Sequence, residues 1–225
     1  MPRNLVVFDI DGTLVNSEYQ HHESIEYAFA KMGCVEINRD WYSYAHVTDN
    51  HIFSKIFAHN SGRSTTAQDI QDFETHALDK LLALPDMEEI PGAVELIQKI
   101  WDSDDWDLAF ATGSLYRPAL KKLGDTGLKF KPGLVVASNQ IESREELIQQ
   151  AEESAKRMFQ VSNYDKILSC GDALWDVRTA KNLNIPLLGV GVQHKEKLLS
   201  EGVKHHIDDW TKVDIAFLNS IVNDG

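Results

Sequence analysis

Five short apolar runs punctuate the chain: Leu5 to Ile10, Leu108 to Ala111, Leu134 to Ala137, Ile167 to Cys170 and Pro186 to Val190. Each is bounded by polar or glycine-containing segments, the pattern of a buried strand. From the second run onward, every gap is long enough for a crossover helix. The alternation therefore predicts an α/β fold with a parallel sheet and helices on both faces. The near-continuous apolar character of the first run fits a strand covered on both sides.

The long gap between the first two runs breaks this rhythm. It contains helical spacing instead, in Glu18 to Met32 through Ile25, Ala28, Phe29 and Met32, and in Asp49 to Ala58 through Ile52, Phe53, Ile56 and Phe57. Asp69 to Leu84 continues the pattern after a polar loop, and Pro91 suits the first position of a helix running to Trp101. We therefore expect residues 1–16 and 88–225 to form a Rossmann-like α/β core, with residues 17–87 inserted after the first strand as a small α-helical domain. Such an insert would sit over the carboxyl ends of the strands, where open α/β sheets bind ligands.

Composition narrows the function classes. With 225 residues, 43% apolar and 25% charged, the chain reads as an ordinary globular protein. No apolar run approaches the roughly 20 residues that span a bilayer. The N-terminal run meets acidic residues at once and lacks a cleavage site, so a cytoplasmic location is expected. A net charge of −13 argues against nucleic acid or an anionic membrane as partner. Cys34 and Cys170 lack metal-ligand spacing and read as reduced, structural thiols. Whether the chain is a monomer or a homodimer is left open.

The chemistry concentrates at strand ends. In Val6-Val7-Phe8-Asp9-Ile10-Asp11-Gly12-Thr13-Leu14, an apolar strand runs into two carboxylates at i and i+2. On an extended segment both point to one side and repel each other. A hard divalent cation such as Mg²⁺ relieves that repulsion with oxygen ligands. Ile167 to Asp176 again delivers acids, Asp172 and Asp176, at the end of an apolar strand. Asp107 to Ser114 ends the second of the five runs with Thr112 and Gly113. Ser114 reads as the N-cap of a helix from Leu115 to Leu123.

These segments resemble the motifs of the haloacid dehalogenase superfamily: DxDGT at Asp9, a strand closed by a hydroxyl at Thr112, and GDxxxD at Asp172. The resemblance implies that Asp9 is a nucleophile and Asp11 a general acid and base. It implies that Asp9, Asp11 and Asp172 hold Mg²⁺, with Asp176 behind them, and that Thr112 and Gly113 bind phosphate. The family also needs a basic residue after the third strand. Lys131-Pro132 matches a common pair, but it precedes its strand; Arg144 follows it at a helix start and is the choice here. The helical insert corresponds to the family's cap, where His21, His22 and Asn50 are candidate specificity residues, with Tyr44, Thr48 and Asp49 also considered. Thr48 and Asp49 read more simply as helix caps.

The expected activity is hydrolysis of a phosphate monoester of a small metabolite through an aspartyl-phosphate. A phosphosugar mutase shares the same motifs and stays open, and a non-catalytic binding protein that keeps the fold is the alternative of a different class. Asp11 disfavours haloacid dehalogenation, and Lys31 has no context that marks it as a Schiff-base lysine.

Overall fold

The computed structural model describes residues 3–223. In chain order the elements are β1 (Asn4–Phe8), β2 (Val15–Asn16), α1 (Glu18–Lys31), α2 (Asp49–Ser61), α3 (Ala67–Leu82) and β3 (Glu88–Glu89). They continue with α4 (Ala93–Trp101), β4 (Trp106–Ala111), α5 (Tyr116–Asp125), β5 (Val135–Val136), α6 (Arg144–Phe159) and β6 (Ile167–Gly171). The chain closes with α7 (Leu174–Leu183), β7 (Leu187–Val190), α8 (Lys195–Ser200), β8 (His205–Ile207) and α9 (Ile215–Asn223).

Six strands form one parallel sheet in the order β5-β4-β1-β6-β7-β8. The most apolar strand therefore sits between two others, with Leu5, Val6, Val7 and Phe8 all buried. Register carries this to the site. Phe8 lies opposite Phe110 on β4 and Cys170 on β6, so Asp9, one residue on, emerges between the ends of both neighbours. The turn after β1 is clamped from the far end of the chain: the Trp210 indole N–H donates to the Thr13 carbonyl at 2.7 Å, and its ring packs edge-on against Phe8.

Helices α1, α2 and α3 enclose a second apolar cluster built on Phe29, Phe53, Phe57 and Phe73. The Phe53 and Phe73 rings stack at 4.0 Å, a contact worth about 0.5–1.5 kcal/mol beyond area burial. Leu115, from the segment after β4, completes this cluster from below. The insert begins and ends at a two-stranded ribbon in which β2 pairs antiparallel with β3. Its helices stop and start by local chemistry. Thr48 accepts from the His51 N–H at the start of α2, and Gly62 ends that helix in the left-handed region. Thr66 and Asp69 form a reciprocal capping box on α3.

Three expectations need correction. Pro91 is not the first helical residue; α4 starts at Ala93 behind Gly92, because Gly92 takes a positive φ that turns the chain first. The run Leu134 to Ala137 keeps only two strand residues, since short 3₁₀ turns close on it from both sides. Strand β8 and helix α9, missed in the sequence, extend the sheet and cover its core.

Candidate active site

Asp9 is buried at the tip of β1. Its Oδ1 accepts from the Ile10 N–H at 2.8 Å, and its Oδ2 accepts from Arg144 Nη1 at 3.1 Å. Arg144, the first residue of α6, also donates to Asp176 Oδ1 at 3.2 Å and to the Val47 carbonyl at 3.0 Å. Its guanidinium lies over the Trp175 ring at 5.2 Å. Lys131 stands elsewhere, stacked over Trp101 at 5.0 Å. Geometry thus brings Arg144, and not Lys131, to the carboxylates.

Asp9, Asp172 and Asp176 each offer a carboxylate oxygen, all within 4.8 Å of one another, and all three are buried. Asp176 doubles as a turn residue, its Oδ2 accepting from the Ala173 N–H at 3.0 Å. Burial first, and then the neighbouring acids, push Asp172 well above the usual carboxylate range. The same two causes raise Asp176 to about 7, with Arg144 opposing. Burial raises Asp9 as well, again against Arg144. Clustered hard oxygen donors whose repulsion Arg144 offsets only in part suit a divalent cation. Gly12 is required for this packing: a Cβ there would come within 2.4 Å of Asp172 Oδ2, and its φ of +71° already favours glycine.

The Asp11 side chain does not join that cluster. Its Oδ1 accepts from Ser17 Oγ at 2.5 Å and from Lys122 Nζ at 2.6 Å, while its Oδ2 accepts from Ser114 Oγ at 2.8 Å. Burial alone would raise this carboxyl, but the Lys122 charge and the hydrogen bonds hold it well below the ordinary range. Ser114 therefore does not cap α5; Leu115 occupies that position and makes no side-chain cap bond. Thr112 is buried, and its Oγ1 accepts from the Ser114 N–H at 3.0 Å. Gly113 lies beside Arg144, where a Cβ would meet Nη2 at 2.6 Å, and its carbonyl accepts from the Asp49 N–H at 2.8 Å.

Lys122 was not anticipated from the sequence. Beside Lys121 it looks like one of two solvated lysines, yet it falls with Ala119 and Leu123 on the buried stripe of α5. That helical spacing was the signal.

A cavity of about 420 Å³ opens above these residues. His21 and His22 line it from α1, with Asp49 from α2 and Ile25, Phe29 and Trp41 as its apolar wall. His21 Nδ1 lies 3.0 Å from Lys122 Nζ, and its Nε2 faces Asp49 Oδ1 at 3.4 Å. Thr48 caps α2 as expected, but Asp49 does more, accepting from the Leu115 N–H at 3.2 Å. Asn50 is not part of the wall. It is buried, its Oδ1 accepting from Ser54 at 3.3 Å and its N–H donating to Ser138 Oγ at 3.4 Å. Tyr44 is absent from the wall as well, its hydroxyl donating to the Asn38 carbonyl.

A parallel core that delivers acids from two adjacent strand ends, beneath a helical insert, defines an α/β enzyme working at the carboxyl edge of its sheet. Residues 6–190 match the family described as haloacid dehalogenase-like hydrolase, and the chain belongs to that family. Solved structures agree on the fold. CbbY from Rhodobacter sphaeroides, in complex with phosphate, aligns with a TM-score of 0.70 at 18% identity, covering 97% of this chain and 100% of that one. A putative beta-phosphoglucomutase from Bacteroides vulgatus aligns at 0.70 and 21% identity, covering 98% and 90%. A hydrolase from Pseudomonas syringae gives 0.70 and 20%, covering 99% and 100%. No curated protein matches the chain.

Proposed function

We propose that the protein is a Mg²⁺-dependent phosphatase that hydrolyses the phosphate monoester of a small metabolite through an aspartyl-phosphate on Asp9. The observation that carries this reading is the setting of Asp9. It stands at the tip of β1 with one oxygen on a backbone N–H and the other on Arg144, clustered with Asp172 and Asp176 and two residues before a separately held carboxylate, Asp11. That division suits a nucleophile and a proton carrier working on the same phosphorus. The similar fold of CbbY, solved with phosphate and, as a variant, with xylulose-(1,5)bisphosphate, supports a phosphorylated ligand.

Asp9, Asp172 and Asp176 would hold the Mg²⁺, which neutralises charge on the phosphoryl group and its acid neighbours when bound. The Asp9 carboxylate attacks phosphorus, and the bond to the leaving oxygen breaks with its electron pair on that oxygen. Arg144 offers charge and fixed N–H donors to the transferring group, with Thr112 and the Gly113 backbone beside it. The arriving phosphate adds negative charge near Asp11 and so raises its carboxyl, loading the proton that the leaving oxygen takes. Asp11, now ionised, accepts a proton from the water that hydrolyses the phosphoenzyme and restores Asp9. The helical insert, residues 17–87, would act as a cap that surrounds the leaving group and excludes bulk water.

The test is a trapped phosphoenzyme. Brief incubation with a radiolabelled monoester and Mg²⁺, followed by acid quench and peptide mapping, is expected to place label on Asp9. An Asp9→Asn variant should take up none, and excess chelator should abolish turnover by the native protein. Label on Asp11 or on a histidine, or full activity in chelator, would overturn the reading.

A further inference from the structure

We infer that Lys122 is a positioning residue for Asp11, holding both oxygens of its carboxylate through a ring of hydrogen bonds that passes through Ser114. This rests on the reading of Asp11 as the acid and base of the reaction.

The Lys122 side chain has no solvent exposure. A buried ammonium is tolerated only where its charge is paired and each proton finds an acceptor. An ammonium has three protons and nothing to accept with. Here three acceptors surround it: Asp11 Oδ1 at 2.6 Å, Ser114 Oγ at 2.8 Å and His21 Nδ1 at 3.0 Å. Ser114 Oγ, having accepted from Lys122, spends its own proton on Asp11 Oδ2 at 2.8 Å. One cation therefore governs Oδ1 directly and Oδ2 through the serine.

The two oxygens are left unequal. Oδ1 carries two hydrogen bonds, from Lys122 and Ser17, whereas Oδ2 carries one. Proton exchange with a leaving oxygen or a water thus falls to Oδ2, and the ring fixes where Oδ2 points. Fold stability alone does not ask for this arrangement. Lys122 shares its helix face with buried Ala119 and Leu123, where an apolar side chain would avoid the cost of desolvating a charge. Its partners all lie around Asp11. The third of them, His21, belongs to α1 of the insert; because Lys122 cannot accept, Nδ1 of His21 must, which leaves its proton on Nε2 facing Asp49. The ammonium consequently joins insert and core at the acid itself.

The test compares leaving groups in Lys122→Met, which keeps the length of the side chain and removes its donors. An alkyl phosphate needs a protonated leaving oxygen; a nitrophenyl phosphate does not. Expected is a fall in kcat of about 10²-fold on the alkyl ester and less than about 10-fold on the nitrophenyl ester, the same asymmetry as Asp11→Asn. KM should change little, because Lys122 is not part of the cavity wall. Ser114→Ala severs only the Oδ2 arm and should show the same asymmetry at smaller size, which decides the matter if Lys122→Met does not fold. Equal losses on both esters in a folded variant, or an unchanged kcat in Lys122→Met, would overturn the positioning role while leaving the phosphatase reading intact. Native protein inert on both esters would overturn that reading, and this inference with it.

Discussion

Asp9 and Asp11 are two residues apart yet keep different electrostatic company. Asp9 faces two other acids and shares Arg144 with one of them, whereas Asp11 has a buried lysine and two hydroxyls to itself. Arg144 acts through its shape as much as its charge. Nη1 spans Asp9 and Asp176 while Nε holds the Val47 carbonyl. A lysine there would supply one point of charge and no fork. We expect Arg144→Lys to lower kcat/KM by about 10²–10³-fold, the loss typical of one preorganised donor, with the larger part in kcat. A loss confined to KM would mean that Arg144 only binds. Much at this scale was legible beforehand, for a physical reason. Paired acids at the end of an apolar strand have no inexpensive structural explanation, so Asp9 and Asp11 stood out in the chain, whereas Asp172 and Arg144 were expected from the resemblance to the family's motifs and do lie beside Asp9. Ser114 and Lys122 could not be read in the same way. A serine before a helix has a local explanation, and a lysine beside a lysine looks solvated; helical spacing puts Lys122 on the buried stripe of α5, but only the long-range contact with Asp11 shows what either residue does there.

Elements differ in how far local pattern reveals them. Helices α1 to α3 carry apolar residues at helical spacing and were visible; β2 and β3 have two residues each and no period to detect. What they do is tertiary, since their pairing closes the entry and exit of the insert. The insert also separates residues that sequence position had grouped together. His22 is exposed on the cavity wall, while Asn50, on α2, is buried between Ser54 and Ser138. We therefore expect His22→Ala to change the ranking of kcat/KM among phosphorylated metabolites while leaving a generic aryl ester within about threefold, since one exposed contact is worth about 0.5–1 kcal/mol. Asn50→Ala should lower thermal stability by a comparable amount and leave the ranking unchanged. A ranking that moves with Asn50 and not with His22 would reverse this assignment.

The whole molecule carries a net charge of −13, and three of its acids, Asp9, Asp172 and Asp176, meet in one buried cluster. In the metal-free protein all three carboxyls are raised, Asp176 to about 7 and Asp172 well above the usual range. The sign of the consequence follows from linkage. A carboxyl raised by folding is protonated in the folded chain at pH values where the unfolded chain has already lost that proton. The metal-free protein is then least burdened below the ordinary carboxylate pKa of about 4, and it loses stability as the pH climbs toward the folded values. A divalent cation replaces those protons and cancels the loss, adding stability that grows with the logarithm of its concentration above the Kd. The rise in Tm caused by Mg²⁺ should therefore be small in mildly acidic buffer and largest at neutral pH. Taking the difference with and without Mg²⁺ at each pH removes the contribution of ion pairs elsewhere, such as Asp11 with Lys122. In Asp172→Asn both trends should shrink together, because one change removes a repelling charge and a ligand. A Mg²⁺ shift that stays constant across pH, or survives undiminished in Asp172→Asn, would show that these three acids are not where the cation binds.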